Sequence, residues 1–520
     1  MKIERTKNAG RNIVFGVILK LYQILMPFFM RTAMIYLLGV NYLGLNSLFT
    51  SILQVLNLAE LGVGSAMVYN MYKPIVDNDT PKICALMRLY KLYYRIIGII
   101  ILIGGLLIIP ILPNLIKSDL PPDINLYILY LLNLSATVLT YWLFAYKNSL
   151  LQAHQRIDVA SKVTMATDTA KYILQLGSLA IFHNYYYYVI VIIVTQIATN
   201  LITAVVVTKM YPDYKAVGKL PKDEIKAINH KIRDLFTSKL GAVIFDSADT
   251  IVISAFLGLT ALAIYQNYFF IVSSLTGLIA TIFTSCTAGI GNSIIVETEE
   301  KNYNDLKKFT LLISWIGGFC TVCLLCLYQP FMEIWVSDKL MLNFEAVVCF
   351  CVYFFINQIN ALLNLYKDAA GMWHEDRYRP LVVSIANLIA NITFVQFIGI
   401  YGVLLASCLT KTLIGIPWIL HNLFTVVFKR NAKEYIKKLL YYIIVTLIAC
   451  VITCLICALI PGNGMLVLII KLVLCCIVGN LILYILFRKT KEFVDIMILL
   501  KNMLPSPLFR LLEKVMRIKI

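Results

Sequence analysis

The sequence predicts an all-α polytopic membrane protein, with about fourteen transmembrane helices arranged as two six-helix lobes in parallel repeat plus two appended helices. Three observations carry that reading. The 520 residues are 60% hydrophobic and only 14% charged, with a mean hydropathy of +0.81, whereas soluble domains run near 45–50% apolar and about 25% charged. The apolar residues gather into runs of roughly 20, the length that crosses a hydrocarbon core about 30 Å thick. Of the 46 Lys and Arg, 38 lie on or near one side, in alternate connections between those runs; six lie within the runs and two on the other side. This composition excludes a secreted enzyme, a cytosolic dinucleotide-binding enzyme and a nucleic-acid binder, despite a net charge of +18. Cations retained on one face of a membrane explain the surplus better.

Taken in order, the candidate spans fall near 12–40, 42–69, 92–115, 124–148, 157–182, 185–208 and 235–258. The remainder fall near 261–292, 308–329, 341–366, 378–397, 400–426, 437–460 and 464–487. The links at 40–43, 183–186, 258–261, 398–401 and 460–464 are tight and carry no Lys or Arg; 112–124 holds Lys117 and 328–341 holds Lys339. The opposite set is basic: the start of the chain, then 70–91, 148–162, 209–234 and 427–438. Basic short loops stay in the cytoplasm, so both termini are expected there, in a multi-pass protein of the plasma membrane. No cleavable signal peptide is expected, because the first apolar run is too long for one and no small-residue cleavage site follows it.

Shifting the chain by about 220 residues sets YKNSLLQAH (146–154) against YKDAAGMWH (366–374), and a shift of 219 sets YLLG (36–39) against AFLG (255–258). Span count and loop charge agree with a duplication. Six spans per unit, an even number, give both units the same orientation, an arrangement used for alternating access. The expected layout is an N-lobe over 1–208, a cytoplasmic linker over 209–234, a C-lobe over 235–426, the thirteenth and fourteenth spans over 427–487, and a cytoplasmic amphipathic tail over 488–520. In that tail Phe493, Ile496 and Leu500 face away from Lys491, Asp495 and Lys501, and a Pro505-Ser506-Pro507 break precedes LFRLLEKVMRIKI. Basic segments with one apolar face lie along membrane surfaces.

The opening RNIVFGVILKLYQILMPFFMRTAMIYLLGVNYLGLNSLFTSIL, the following LNLAELGVGSAMVYNMYKP and the SLLQAHQR turn carry a resemblance. Residues Gly39, Leu43, Gly44, Leu61, Gly62, Tyr72, Lys73 and Pro74 sit within it. Over nearly the whole chain the sequence resembles the oligosaccharide flippases of the polysaccharide transport family. That family lies within the multidrug/oligosaccharidyl-lipid/polysaccharide exporter superfamily. The resemblance implies two six-helix lobes around a central cavity, and transfer of a polyprenyl-pyrophosphate-linked oligosaccharide to the outer leaflet for capsule, exopolysaccharide or cell-wall glycan synthesis. It also implies coupling to an H+ or Na+ gradient or to the membrane potential, without an organic cofactor, and the lipid bilayer as the protein's solvent. A monomer is expected, with a polysaccharide polymerase as a partner in the pathway.

A charge at the bilayer centre costs about 2.5–3.5 kcal/mol on insertion scales, so ionisable residues inside spans are the informative ones. Lys20 and Arg31 share one face of the first span; Arg31 either holds the pyrophosphate or snorkels beside Tyr36. Thr164, Asp168, Lys171 and Gln175 form a polar stripe in the fifth span, where Asp168 and Lys171 either pair structurally or part when anionic cargo competes. Lys239 and Asp246 share a face of the seventh span with Asp249 adjacent, and Lys239 equally suits a cytoplasmic helix end. Lys411 in the twelfth span has no evident local partner. Lys471 snorkels towards the outer interface. Glu60 either titrates, since burial raises a carboxyl pKa, or partners Arg31 or Lys20. The expected cavity cations are therefore Lys20, Arg31, Lys171, Lys239 and Lys411, and the acids for coupling or ion pairing are Glu60, Asp168, Asp246 and Asp249.

The amides Asn357, Gln358, Asn360, Asn364, Asn387 and Asn391 are expected chiefly to join helices. No metal site is expected: Cys320, Cys323 and Cys326 follow helical spacing inside an apolar run with no histidine nearby. A multidrug or cation antiporter of the same superfamily is the main alternative, but its cavity should be acid-rich, and Arg31, Lys171 and Lys411 oppose it. A membrane-embedded polymerase or glycosyltransferase fits less well, because no long outer loop and no nucleotide, zinc or nucleophile motif is present. The chain is read as a transporter and not an enzyme.

Overall fold

The computed structural model describes residues 5–60, 62–117, 120–284, 286–462 and 464–503. Leu61 and the segment from 504 onward, including the Pro505–Pro507 break, lie outside the described residues. Among those described there is no β-strand. The helices are α1 (Arg5–Leu37), α2 (Val40–Leu56), α3 (Val63–Val76), α4 (Thr80–Ile108), α5 (Leu126–Trp142), α6 (Asn148–Ala153), α7 (Ile157–Phe182) and α8 (Tyr185–Met210). They continue with α9 (Lys222–Leu257), α10 (Leu259–Thr284), α11 (Thr287–Val296), α12 (Glu299–Val336), α13 (Phe344–Ala369) and α14 (Arg379–Ile398). The last are α15 (Ile400–Thr410), α16 (Ile416–Val426), α17 (Lys433–Ala458), α18 (Met465–Leu474), α19 (Asn480–Phe487) and α20 (Lys491–Met503).

Among the described residues, twelve helical stretches are long and apolar enough to cross a membrane, and thirteen if the pair α5–α6, bent by 47°, is one span. The fifth expected span is present as α7, 26 residues long, but its stripe of Thr164, Asp168, Lys171 and Gln175 leaves it too polar to pass on hydropathy. The helices also run beyond the apolar stretches. The third begins at Thr80, twelve residues before the expected span, because Asp79 accepts from the Lys82 N–H at 3.0 Å and Pro81 suits the first turn. Helix α9 likewise begins within the 209–234 linker, and α12 starts at Glu299 under a Thr298 cap.

Several expected spans are broken. The second gives way to a 3-10 turn at Asn57–Glu60, and Gly62 at φ 87° takes the left-handed conformation that side chains resist. The eighth divides into α10 and α11, with Thr284 and Thr287 at the facing ends. The twelfth and fourteenth contain π-turns at Lys411–Gly415 and Cys475–Gly479.

The chain divides into two compact units: Met1–Asn267 with Pro380–Val403, and Tyr268–Arg379 with Leu404–Ile520. In the first, α1 packs on α7, α7 on α8, α4 on α5 and α2 on α9. Gly39 (φ 118°) and Gly258 (φ 91°) end α1 and α9 with the same positive-φ turn, 219 residues apart. The Thr260 hydroxyl donates to Asn41 Oδ1 at 2.6 Å, again across 219 positions. Close backbone approach accompanies it, since a Cβ on Gly44 would stand 2.2 Å from the Leu259 carbonyl oxygen.

In the second unit α12 is the spine, with α13, α17, α18 and α20 against it. Trp315 stacks on Phe493 at 5.7 Å and donates to Asn480 Oδ1 at 3.1 Å, while Lys438 pairs with Glu492. Phe493 and Met497 are thereby buried in the bundle, and Val494 and Ile498 stay outward. The start of the amphipathic tail thus packs its strongest apolar face on protein, leaving a second one for the interface; the side chains of Leu500 and Lys501 lie outside the description. Residues such as Phe397 (80% exposed) and Leu466 (73%) face outward from the helices, a surface that suits lipid and not water.

Gly44→Val should abolish the folded chain, because its new atoms meet backbone, which cannot rotate away. Gly177→Ala, with nothing within 4 Å, should leave the monodisperse fraction in detergent unchanged or higher. Fluorescence-detected size exclusion reads both.

Candidate functional site

The unwound stretch between α2 and α3 opens a cavity of about 320 Å³ within the first unit. Gln54, Asn57, Glu60, Gly62, Gly64, Ser65, Lys239 and Val243 line it. Irregular backbone at membrane depth is tolerated where it lines such a polar space. The Glu60 carboxylate is held by hydroxyls: Tyr94 donates to Oε1 at 2.6 Å and Tyr141 to Oε2 at 2.8 Å. Tyr90 in turn donates to the Tyr94 oxygen at 2.7 Å. Glu60 therefore takes neither of the partners that sequence suggests, Arg31 or Lys20. Lys239 enters the same cavity, exposed, and makes no hydrogen bond among the described residues.

Other named charges are settled separately. Arg31 is half-buried and donates to Asn267 Oδ1 at 3.3 Å; the Asn267 amide nitrogen is buried and unbonded. Lys20 is half-buried and makes no hydrogen bond among the described residues. Asp168 and Lys171 do pair, at 2.6 Å, with the ammonium 4.6 Å from the Tyr172 ring centre. Tyr22 and Thr169 share a hydrogen bond of 2.8 Å that ties α1 to α7.

On α9, Asp246 is exposed and Asp249 is buried. Asn391 donates to Asp249 Oδ1 at 2.7 Å and Tyr265 to Oδ2 at 3.1 Å. The Asn391 nitrogen also lies 3.2 Å from Asn387 Oδ1, and Asn391 Oδ1 is buried without a hydrogen-bond partner. A carboxylate oxygen of Asp249 and the amide oxygen of Asn387 thus both face the Asn391 nitrogen, beside the unused Asn391 oxygen. Hard cations choose such donors.

In the second unit Lys411 is 8% exposed. Its π-turn carries it to Asn357 Oδ1 at 2.9 Å and the Tyr353 hydroxyl at 3.2 Å. The ammonium also sits 4.5 Å from the centre of that ring. The neighbouring amides join helices: Gln358 donates to Thr276 at 3.2 Å, and Asn364 accepts from Arg379 at 2.7 Å. Arg379 also grips Asp376 through two bonds of 2.7 Å, both residues buried. Sequence reading did not single out that pair, with Arg379 at the start of the eleventh expected span and Asp376 just before it. It also missed Tyr90, Tyr94 and Tyr141, which nothing distinguishes among 31 tyrosines.

The site residues are therefore distributed. Glu60 and Lys239 share one cavity, Asp249 has its own amide cluster, Asp168 holds Lys171, and Lys411 lies buried against α13.

The family described as "Polysaccharide biosynthesis protein" matches residues 9–288. No curated protein matches the chain. Among solved structures, the lipid II flippase MurJ in an inward closed conformation is similar at TM-score 0.70 and 17% identity, covering 92% of this chain and 99% of that one. An inward-facing multidrug resistance MATE family transporter of the MOP superfamily is similar at TM-score 0.60 and 12% identity, covering 78% and 96%. A variant of the Vibrio cholerae MATE transporter VcmN is similar at TM-score 0.54 and 16% identity, covering 82% and 99%. At these identities each likeness is one of fold.

Glu60→Ala would remove the acceptor of the Tyr94 hydroxyl and the nearer acceptor of the Tyr141 hydroxyl, which keeps Asn57 Oδ1 at 3.2 Å, at about 1–3 kcal/mol for a group left unsatisfied. Tyr141→Phe leaves the carboxylate its second donor. The expected order of thermal midpoints is wild type, then Tyr141→Phe, then Glu60→Ala; equal midpoints would refute the hydroxyl clamp.

Proposed function

The chain belongs to the polysaccharide biosynthesis protein family, and on that premise we propose that it is a flippase for a polyprenyl-pyrophosphate-linked oligosaccharide. Its fold is like that of MOP-superfamily transporters, which supports a transporter reading. The observation that carries the cargo reading is the polar cavity at the α2–α3 break. A glycan headgroup cannot shed its water into lipid unless hydrogen-bonding groups replace that water. Gln54, Asn57, Ser65 and the Glu60 carboxylate offer such groups to sugar hydroxyls, and Lys239 offers a positive charge to a phosphate. One structural relative is named a lipid II flippase, which supports lipid-linked cargo for this chain.

In this reading cargo enters from the inner leaflet and leaves to the outer one by alternating access. Arg31 and Lys411 serve as further anion contacts, and cargo competes with Asp168 for Lys171. Gradient energy enters through the Asp249–Asn387–Asn391 cluster, where a monovalent cation such as Na+ would find the vacant Asn391 oxygen. The protein acts as a monomer in the plasma membrane with both termini in the cytoplasm, beside a polysaccharide polymerase that consumes the flipped lipid. Likeness to MATE transporters supports a second reading, export of organic cations through the carboxylate of Glu60. The buried Lys411 and the cavity's own Lys239 favour the anionic cargo.

Proteoliposomes carrying a fluorescent polyprenyl-pyrophosphate glycan decide between them. Lys239→Ala should slow flipping about tenfold, the loss of one charge-assisted contact, and Asp249→Asn should remove dependence on the cation gradient. Arg31→Ala and Lys411→Ala should abolish surface glycan at unchanged expression. Wild-type rates in all four variants would reject the cargo assignment, and transport of organic cations but not glycolipid would establish the second reading.

A further inference from the structure

Three cysteines far apart in sequence meet in the second unit. Cys326 comes from α12, Cys457 from α17 and Cys475 from the π-turn between α18 and α19. Their sulfurs all lie within 4.8 Å of one another, and all three residues are buried. Cys457 and Cys475 are 3.9 Å apart, Sγ to Sγ. Three thiolates in a plane around an ion, with bonds of about 2.3 Å, stand about 4.0 Å apart. The spacing therefore suits three sulfurs sharing one ion. It is too long for a disulfide, and all thirteen cysteines are free thiols.

The backbone supplies a second observation. Cys475 opens a π-turn, and such single turns inside α-helices are frequent at functional sites. Cys475 bonds to Cys457 within the group. No histidine or carboxylate joins the three among the described residues.

We infer that Cys326, Cys457 and Cys475 form a binding site for a thiophilic monovalent ion, Cu(I). Soft thiolates select Cu(I), zinc or iron–sulfur clusters. Structural zinc takes four tetrahedral ligands, and the group presents three. As the ion enters, three S–H bonds release three protons to solvent and three Cu–S bonds form. Copper arrives and remains as Cu(I), so no oxidant or reductant takes part. The thiolates leave the site with net negative charge, and Lys471, four residues before Cys475 and close enough to act on Cys457, offsets part of it. The bound ion would pin α17 and the α18–α19 pair to α12, so its consequence is mechanical. It stands independently of the transport reading.

The test is an anaerobic titration of the purified full chain in detergent with Cu(I) against a chromophoric Cu(I) chelator. The wild type should retain about one ion per chain and unfold at a higher temperature when loaded, because a ligand that binds only the folded state stabilises it. Cys457→Ser and Cys475→Ser should lose both effects, and Cys476→Ser, whose thiol is exposed, should keep both. Should the serine variants fail to fold, copper X-ray absorption of the loaded wild type still decides, with three sulfurs at about 2.3 Å expected. The proposal is overturned by complete loss of copper to the chelator, by retention unaltered in folded Cys475→Ser, by nitrogen or oxygen ligation, or by preferential retention of Zn(II).

Discussion

Every charge held at membrane depth must be answered from within the chain, because hydrocarbon offers it nothing. The answers here share a chemistry. Glu60 is met by tyrosine hydroxyls, Asp249 by an asparagine and a tyrosine, and Lys411 by an asparagine and an aromatic face. Asp168 and Lys171 answer one another directly. Neutral partners satisfy hydrogen bonds without cancelling charge. The Glu60 carboxylate, held in that way among the described residues, keeps its field, and a cation can add to its shell without first breaking a salt bridge.

The regular helix breaks where chemistry collects. The 3-10 turn and left-handed Gly62 open the Glu60 cavity, the π-turn at Lys411 swings an ammonium onto α13, and the π-turn at Cys475 gathers thiols from three helices. Each break frees backbone groups that a straight span would satisfy, and each therefore needs a polar or packed surrounding to persist. An extra residue in a turn also re-aims a side chain by a large fraction of the helix circumference. Lys411, at the start of such a turn, reaches Asn357, two spans earlier in the chain.

Which features were legible in the sequence follows from the same physics. Hydropathy reports immersion in lipid, so the spans were readable and the ends of the helices were not. Helix α4 continues to Thr80 and α9 to Lys222, well past the apolar residues, since caps and hydrogen bonds and not lipid end them. The AFLG and YLLG repeat was legible because each needs a glycine at positive φ, found at Gly39 and Gly258. The partners were not legible. The Lys411 partner Asn357 lies 54 residues earlier, and Cys326 and Cys475 belong to separate apolar runs that look like ordinary core. Helical spacing relates residues on one helix and carries nothing about which helix faces it.

The Glu60 cavity is of mixed sign, and this bears on selectivity. An acid-only cavity would gather organic cations, and a cation-only cavity would hold any phosphate, including free nucleotides of the cytoplasm. A carboxylate clamped by two hydroxyls beside a lysine with no clamp gives the two charges unequal freedom. Glu60 is fixed in direction and can only orient a donor such as a sugar hydroxyl, whereas Lys239 on its long flexible stem can follow a phosphate. A ligand presenting both features, a glycan and a phosphate within a few ångströms of each other, satisfies the pair at once. One that presents a phosphate alone must face the fixed carboxylate, at a repulsion that grows as water leaves.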